Sequence, residues 1–199
     1  MYVSLVENAD LKLSYEEAFK LVKKGLAPLG EDYGKLLQKA HDEGWLDVEE
    51  TDGKRSGAYS VCVYAMEHPY VLLNYQPTTH DVFTIAHELG HSMHSYKSDA
   101  AQPKSKADYK IFVAEVASTV NEVLLLKYLL KNTTDLKLKK YLCSYYLEMI
   151  RTTLFRQTMF AEFEYVAHNS AENGIPLTKD YLNAEYLKLN KKYYGDAVI

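Results

Sequence analysis

Apolar positions recur every three or four residues over most of this chain and turn strand-like only between residues 45 and 75. Residues 15–24 carry helical spacing that ends at Gly25, and Ser14 followed by Glu17 forms a capping-box pattern at its start. A second helix is predicted over 31–44. The pattern then changes: 45–48 is short, the polar stretch 49–57 holds two glycines, and 59–64 is rich in β-formers. Pro69 opens a second strand over 70–75. A proline at a strand's start suits an edge position, where one donor is withdrawn without interrupting a ladder.

Thr78, with Asp81 three residues on, predicts a capped helix that starts near 79 or 80 and ends near 96, followed by a polar loop over 97–108. Helical periodicity returns over 109–131. A long amphipathic stretch runs from 135 to 173 and stops at Gly174, and Thr178 starts a last helix that fades at Tyr193-Tyr194-Gly195. Tyr193 and Tyr194 read as helix-end packing residues. No repeat or interdomain linker is visible, so residues 1–199 are expected to form one mainly α domain with a small sheet before the 79–96 helix.

Composition narrows the classes. With 47% hydrophobic residues in 199, the chain can close a core, which excludes disorder. A formal charge of -4 with scattered lysines gives no nucleic-acid stripe. No apolar run spans a bilayer and the first ten residues are acidic where a signal peptide is basic, so a soluble, cytoplasmic protein is expected. Cys62 and Cys143 lack C-x-x-C spacing and are expected to be buried free thiols.

The chemistry concentrates in His87-Glu88-Leu89-Gly90-His91, which matches H-E-x-x-H. Residues four apart share a helix face, so both imidazoles can meet one tetrahedral metal with Glu88 beside them. Two lone histidines on a half-buried helix are often a chance pair. Here Glu88 fills the position the chemistry needs, and Phe83, Ile85, Ala86 and Leu89 flank the pair. Strands followed by an H-E-x-x-H helix are a zincin-like order.

A catalytic zinc needs a third protein ligand and an open position. His94 lies about 10.5 Å further along the helix than His87, too far to share one ion with both. His94 and Lys97 occupy the positions where a metzincin has Gly and His, which excludes that class. Glu115, among Phe112, Val113, Val116, Ala117 and Val120, is costly to bury without a partner and is the best candidate. Glu122 shares its face seven residues on and stays open as an alternative. His94 remains a weak candidate for contact with substrate. Arg156 has no acid three or four positions away, and its partner is expected on another element.

Four segments carry a specific resemblance: Gly53-Lys54-Arg55-Ser56-Gly57-Ala58-Tyr59, His87-Glu88-Leu89-Gly90-His91-Ser92-Met93-His94-Ser95, Glu115-Val116-Ala117-Ser118-Thr119 and Phe155-Arg156-Gln157-Thr158-Met159-Phe160-Ala161-Glu162-Phe163. Together they resemble oligoendopeptidase F, of the thimet-like M3 zinc metallopeptidases. The resemblance implies one zinc ion per chain, held by His87, His91 and Glu115, with Glu88 as general base. It ranks Glu115 over Glu122 and leaves Ser118 and Glu122 to orient ligands. It further implies a largely helical fold with a deep channel and internal cleavage of short peptides.

Family members are much longer, so the chain is expected to be a catalytic-domain fragment that lacks an N-terminal helical region and a C-terminal segment rich in His and Tyr. Without that segment's donors, a fragment that binds zinc is expected to hydrolyse slowly. Two other readings remain: a peptide-binding or structural zinc fragment without catalysis, and an aminopeptidase, for which no G-x-M-E-N-type anchor is present.

Overall fold

The computed structural model describes residues 6, 9 and 11–195. The chain divides into two compact units, residues 1–142 and 143–199.

In the first unit, α1 (Tyr15–Gly25) starts at a complete capping box. The Ser14 hydroxyl accepts from the Glu17 backbone N–H, and the Glu17 carboxylate accepts from the Ser14 N–H. Such a cap contributes about 0.5–2 kcal/mol. α1 buries Ala18, Phe19 and Val22. After a 3-10 turn (Ala27–Leu29), α2 (Glu31–Asp42) buries Leu37 and Ala40. His41 joins the two helices: its Nε2 meets both Glu16 carboxylate oxygens at 3.0 and 3.1 Å, and its Nδ1 meets Asp42 at 3.1 Å.

Three short strands follow: β1 (Leu46–Asp47), β2 (Tyr59–Val61) and β3 (Tyr70–Leu72). Their order is β1-β3-β2, with β3 parallel to β1 and antiparallel to β2, Ser60 opposite Val71. β3 is therefore central, not the edge that Pro69 suggested. Pro69 lies just outside the paired residues, and its missing N–H falls outside the ladder; the Val71 and Leu73 N–H groups donate to Trp45 and Asp47 carbonyls at 2.9 and 2.8 Å. Both strands are also shorter than their β-forming runs.

The loop between β1 and β2 is tied by Lys54, whose side chain is buried and donates to the Asp47 and Glu49 carbonyls. Asn74 just beyond β3 donates to the Arg55 and Gly57 carbonyls at 2.9 Å each, fixing the chain as it enters β2. Trp45, fully buried, stacks on His68 with ring centroids 4.9 Å apart and anchors the sheet's start.

α3 (Thr79–Ala101) begins where Thr78 accepts from the Asp81 N–H, as its cap predicts. It runs five residues past the expected end, and the polar segment after it holds a short helix, α4 (Lys104–Ala107). α5 (Ile111–Asn132) crosses α3 where Gly90 meets Ser118. α1 packs on the same helix through Gly25, where an added Cβ would stand 3.1 Å from Leu125 Cα.

α6 (Leu136–Ile150), a π turn (Arg151–Phe155) and α7 (Arg156–Glu172) form the continuous helical stretch that the sequence pattern indicates. In the second unit, α7 packs against α8 (Lys179–Tyr194), which Thr178 caps. Tyr193 does more than pack: its hydroxyl donates to Glu162 at 2.8 Å. Arg156 finds a contact on its own helix, 5.6 Å over the Phe160 ring. Cys143 is exposed and Cys62 half-buried, so neither is the buried thiol expected. No described helix is long and apolar enough to cross a membrane.

A Cβ at Gly90 would lie 2.6 Å from Ser118 Cα and 2.8 Å from its N, backbone that cannot swing aside. Gly90→Ala is expected to cost about 1–3 kcal/mol in urea unfolding. For His41, burial pulls the pKa down, but the bonds and charges of Asp42 and Glu16 outweigh it and the net shift is up. Its contribution to stability is then fully present below its unfolded pKa of about 6.5 and is lost as pH rises through the folded value. The gap in unfolding midpoint between wild type and His41→Gln is expected to be widest below pH 6 and to shrink above it.

Candidate metal centre

α3 presents His87 and His91 one turn apart, and their Nε2 atoms lie 3.1 Å from each other. α5, laid across α3 at Gly90, brings Glu115 Oε2 to 3.4 Å from both. Among the described residues these three form the one cluster with metal-ligand spacing, all three atoms within 4.8 Å of one another.

The spacing suits zinc. Ligand atoms about 2.0–2.1 Å from a tetrahedral ion stand about 3.3–3.4 Å apart, close to the three edges seen. The hydrogen bonding suits it too. His87 Nδ1 lies 2.8 Å from Glu122 Oε1, a carboxylate that only accepts, so Nδ1 carries the proton and the neutral ring turns its Nε2 lone pair to the cluster. The buried Ser118 hydroxyl donates to Glu115 Oε2 at 2.8 Å and holds that carboxylate in place.

The Glu88 side chain is buried. Burial raises its pKa, the His87 charge opposes this, Glu115 adds to the rise, and the net direction is up. One oxygen, Oε2, is buried without a protein partner. Burial lowers the His91 pKa, favouring the neutral ring that binds metal. At His87 burial also pulls down, but the Glu122 bond and charge lead the groups that carry the net shift upward. A proton therefore competes with metal at His87 more than at His91.

The sequence-predicted residues divide clearly. His87, His91 and Glu115 converge, Glu122 and Ser118 each bond one of them, and Glu88 stands beside the pair. His94 stays outside: its ring stacks on Tyr109 at 3.7 Å and its Nδ1 is buried without a partner. Glu115 is in the expected place for a different reason from the expected one. Its side chain is 56% exposed, and Phe112 and Val116 beside it are exposed as well, so the cost of burial does not call for a metal there.

Three residues escaped the sequence reading. Asn121, buried, donates to the Ala86 carbonyl at 2.9 Å and bonds the Tyr33 hydroxyl, which ties α5 to the turn before His87. Ser60 and Ser92 bond each other between β2 and α3. Small polar residues in buried stretches were the available signal, without any hint of their partners.

Removing the Glu122 carboxylate frees the His87 ring to turn and change tautomer. Glu122→Ala is expected to weaken zinc binding by about 10–100-fold in a competitive chelator titration. His94→Ala should bring no comparable loss.

The family model described as Peptidase family M3 matches residues 4–199. Oligopeptidase PepF of Bacillus subtilis (strain 168) is 49% identical over 199 residues, all of this chain and 30% of that protein. The chromosomal oligoendopeptidase F of Lactococcus lactis subsp. cremoris is 46% identical over 96% of this chain and 31% of its own length. A crystal structure from Chlamydophila abortus superposes with a TM-score of 0.81 at 46% identity, over 96% of this chain and 32% of that one. The chain thus spans about a third of the length of the proteins it matches.

Proposed function

The chain belongs to peptidase family M3, and on that premise we propose that residues 1–199 are part of the catalytic domain of a zinc-dependent endopeptidase that hydrolyses internal bonds of short peptides. The observation that carries the reading is the convergence of His87 Nε2, His91 Nε2 and Glu115 Oε2, together with a buried Glu88 carboxylate on which the His87 and Glu115 charges act.

In this reading His87, His91 and Glu115 would hold one zinc ion. The bound ion supplies Lewis-acid polarisation of a carbonyl and makes water more acidic. Glu88 moves the proton: its carboxylate takes one from water and delivers it to the departing amine nitrogen. Burial, by raising the Glu88 pKa, brings its proton affinity nearer to what that shuttle needs at neutral pH. Glu122 and Ser118 act on the ligands, keeping the His87 tautomer and the Glu115 orientation.

Substrate binding falls to β2. Among the described residues β2 pairs with β3 on one side only, and its other edge is the one an extended peptide would pair with. Two free thiols, Cys62 and Cys143, fit a reducing, cytoplasmic setting. The second reading, a zinc-holding fragment without turnover, draws on the chain's span of 30% of its Bacillus subtilis relative.

The deciding experiment digests a mixed oligopeptide pool with the zinc-loaded chain and reads products by mass spectrometry. Internal cleavage is expected, reduced by about 10²–10⁴-fold in Glu88→Gln while that variant still binds zinc. Absence of cleavage by zinc-loaded wild type would overturn the endopeptidase reading for this chain and leave the second one.

A further inference from the structure

α3 and α5 meet closely at Gly90 and Ser118, and one point of contact fixes the separation of two helices but not the angle at which they cross. A second contact lies one turn away. Asn121, three residues after Ser118, donates its Nδ2 to the carbonyl of Ala86, four residues before Gly90, at 2.9 Å. The next residue of α5, Glu122, meets the next residue of α3, His87, at 2.8 Å. The two bonds differ in kind. Glu122 reaches a side chain, whereas the short, buried side chain of Asn121 holds helix backbone, which cannot follow by changing rotamer.

The Asn121 amide can sit only one way. Its Nδ2 hydrogens go to the Ala86 carbonyl and to the Tyr33 hydroxyl at 3.0 Å, and that hydroxyl donates to Oδ1 at 3.2 Å. Turned over, the amide would set its oxygen against the Ala86 carbonyl, acceptor to acceptor. Tyr33 belongs to α2, which places no residue in the cluster.

The position of Asn121 gives it leverage over the ligands. Glu115 and Asn121 lie on opposite sides of Ser118, each about 4.5 Å from it along α5, so a tilt of about 10° at the crossing would carry Glu115 by up to about 0.8 Å. Metal–ligand distances tolerate about 0.2 Å. Glu115 has little freedom to compensate, because the Ser118 hydroxyl holds its Oε2 at 2.8 Å.

We propose that Asn121 is a positioning residue for the metal centre: held by Tyr33, it fixes the crossing angle of α3 and α5 and so the distance of the Glu115 carboxylate from His87 and His91. Neither Asn121 nor Tyr33 supplies a ligand atom. Their effect on zinc binding rests on the zinc site of the reading above and needs no turnover.

Zinc affinity of the 199-residue chain by competitive chelator titration, paired with urea unfolding of the metal-free chain, provides the test. Asn121→Leu keeps the side chain's size, and the Ala86 carbonyl keeps the Gly90 N–H as its partner within α3. Its urea midpoint is expected to move little while zinc affinity falls about tenfold. Tyr33→Phe, which keeps the ring, is expected to lose about threefold. The double variant should bind no more weakly than Asn121→Leu alone, since Tyr33 acts through Asn121. Leu129→Ala, buried two turns further along α5, separates position from stability: its urea midpoint should fall while its zinc affinity stays within about twofold of wild type.

Unchanged affinity in Asn121→Leu and Tyr33→Phe, or an equal loss in Leu129→Ala, would overturn the inference. Losses that multiply in the double variant would overturn the role of Tyr33. Tyr33→Phe decides the matter where Asn121→Leu does not fold. If zinc-loaded wild type cleaves no peptide, the endopeptidase reading fails and the affinity series still decides Asn121. If it cleaves and the two variants bind zinc as wild type does, the inference fails and the reading stands.

Discussion

The close crossing of α3 and α5 at Gly90 is the constraint on which the candidate site depends. No Cβ fits between Gly90 and the Ser118 backbone, and only that approach lets a carboxylate of medium length reach two imidazoles on the other helix. The histidine pair is a property of one helix. The three-atom cluster is a property of two helices at one separation, and a shift of about an ångström in that separation would open the edges beyond what a small ion bridges.

Around the crossing, polar side chains do the fine positioning. Asn121 bonds the Ala86 carbonyl from α5, Glu122 bonds His87 Nδ1, and Ser118 bonds Glu115. Each partner fixes a group that would otherwise have rotational freedom, and in a partly dehydrated place such bonds count for more than in water. Two acids seven residues apart on one face of α5 thus divide the work: Glu115 meets the Nε2 side of the imidazoles and Glu122 the Nδ1 side of His87. Burial acts on both neighbours of the crossing, raising the Glu88 pKa and lowering that of His91.

The sheet has a comparable economy of parts. Lys54 and Asn74 fasten the loop that enters β2, and Trp45 fastens the start of β1. Three short strands have little pairing energy of their own. Their placement depends on these side-chain ties and on the contact of β2 and β3 with α3.

Local signals in the sequence determined a large part of this. The capping residues Ser14, Thr78 and Thr178, the helical periodicities and the i, i+4 histidine pair are encoded over a few residues, where helix geometry alone relates sequence position to direction in space. The pairing of His87 and His91 on one face, with Glu88 between them, was legible for the same reason. What the tertiary structure decided are the relations between distant segments: which acid of α5 meets the Nε2 atoms, why an exposed Glu115 suffices, that β3 is central despite Pro69, that Cys143 is exposed, and that Ser60 finds Ser92. Each depends on how elements cross or pair, and the free energies that fix such crossings are sums of many small contacts between residues far apart in the chain, which no short pattern records.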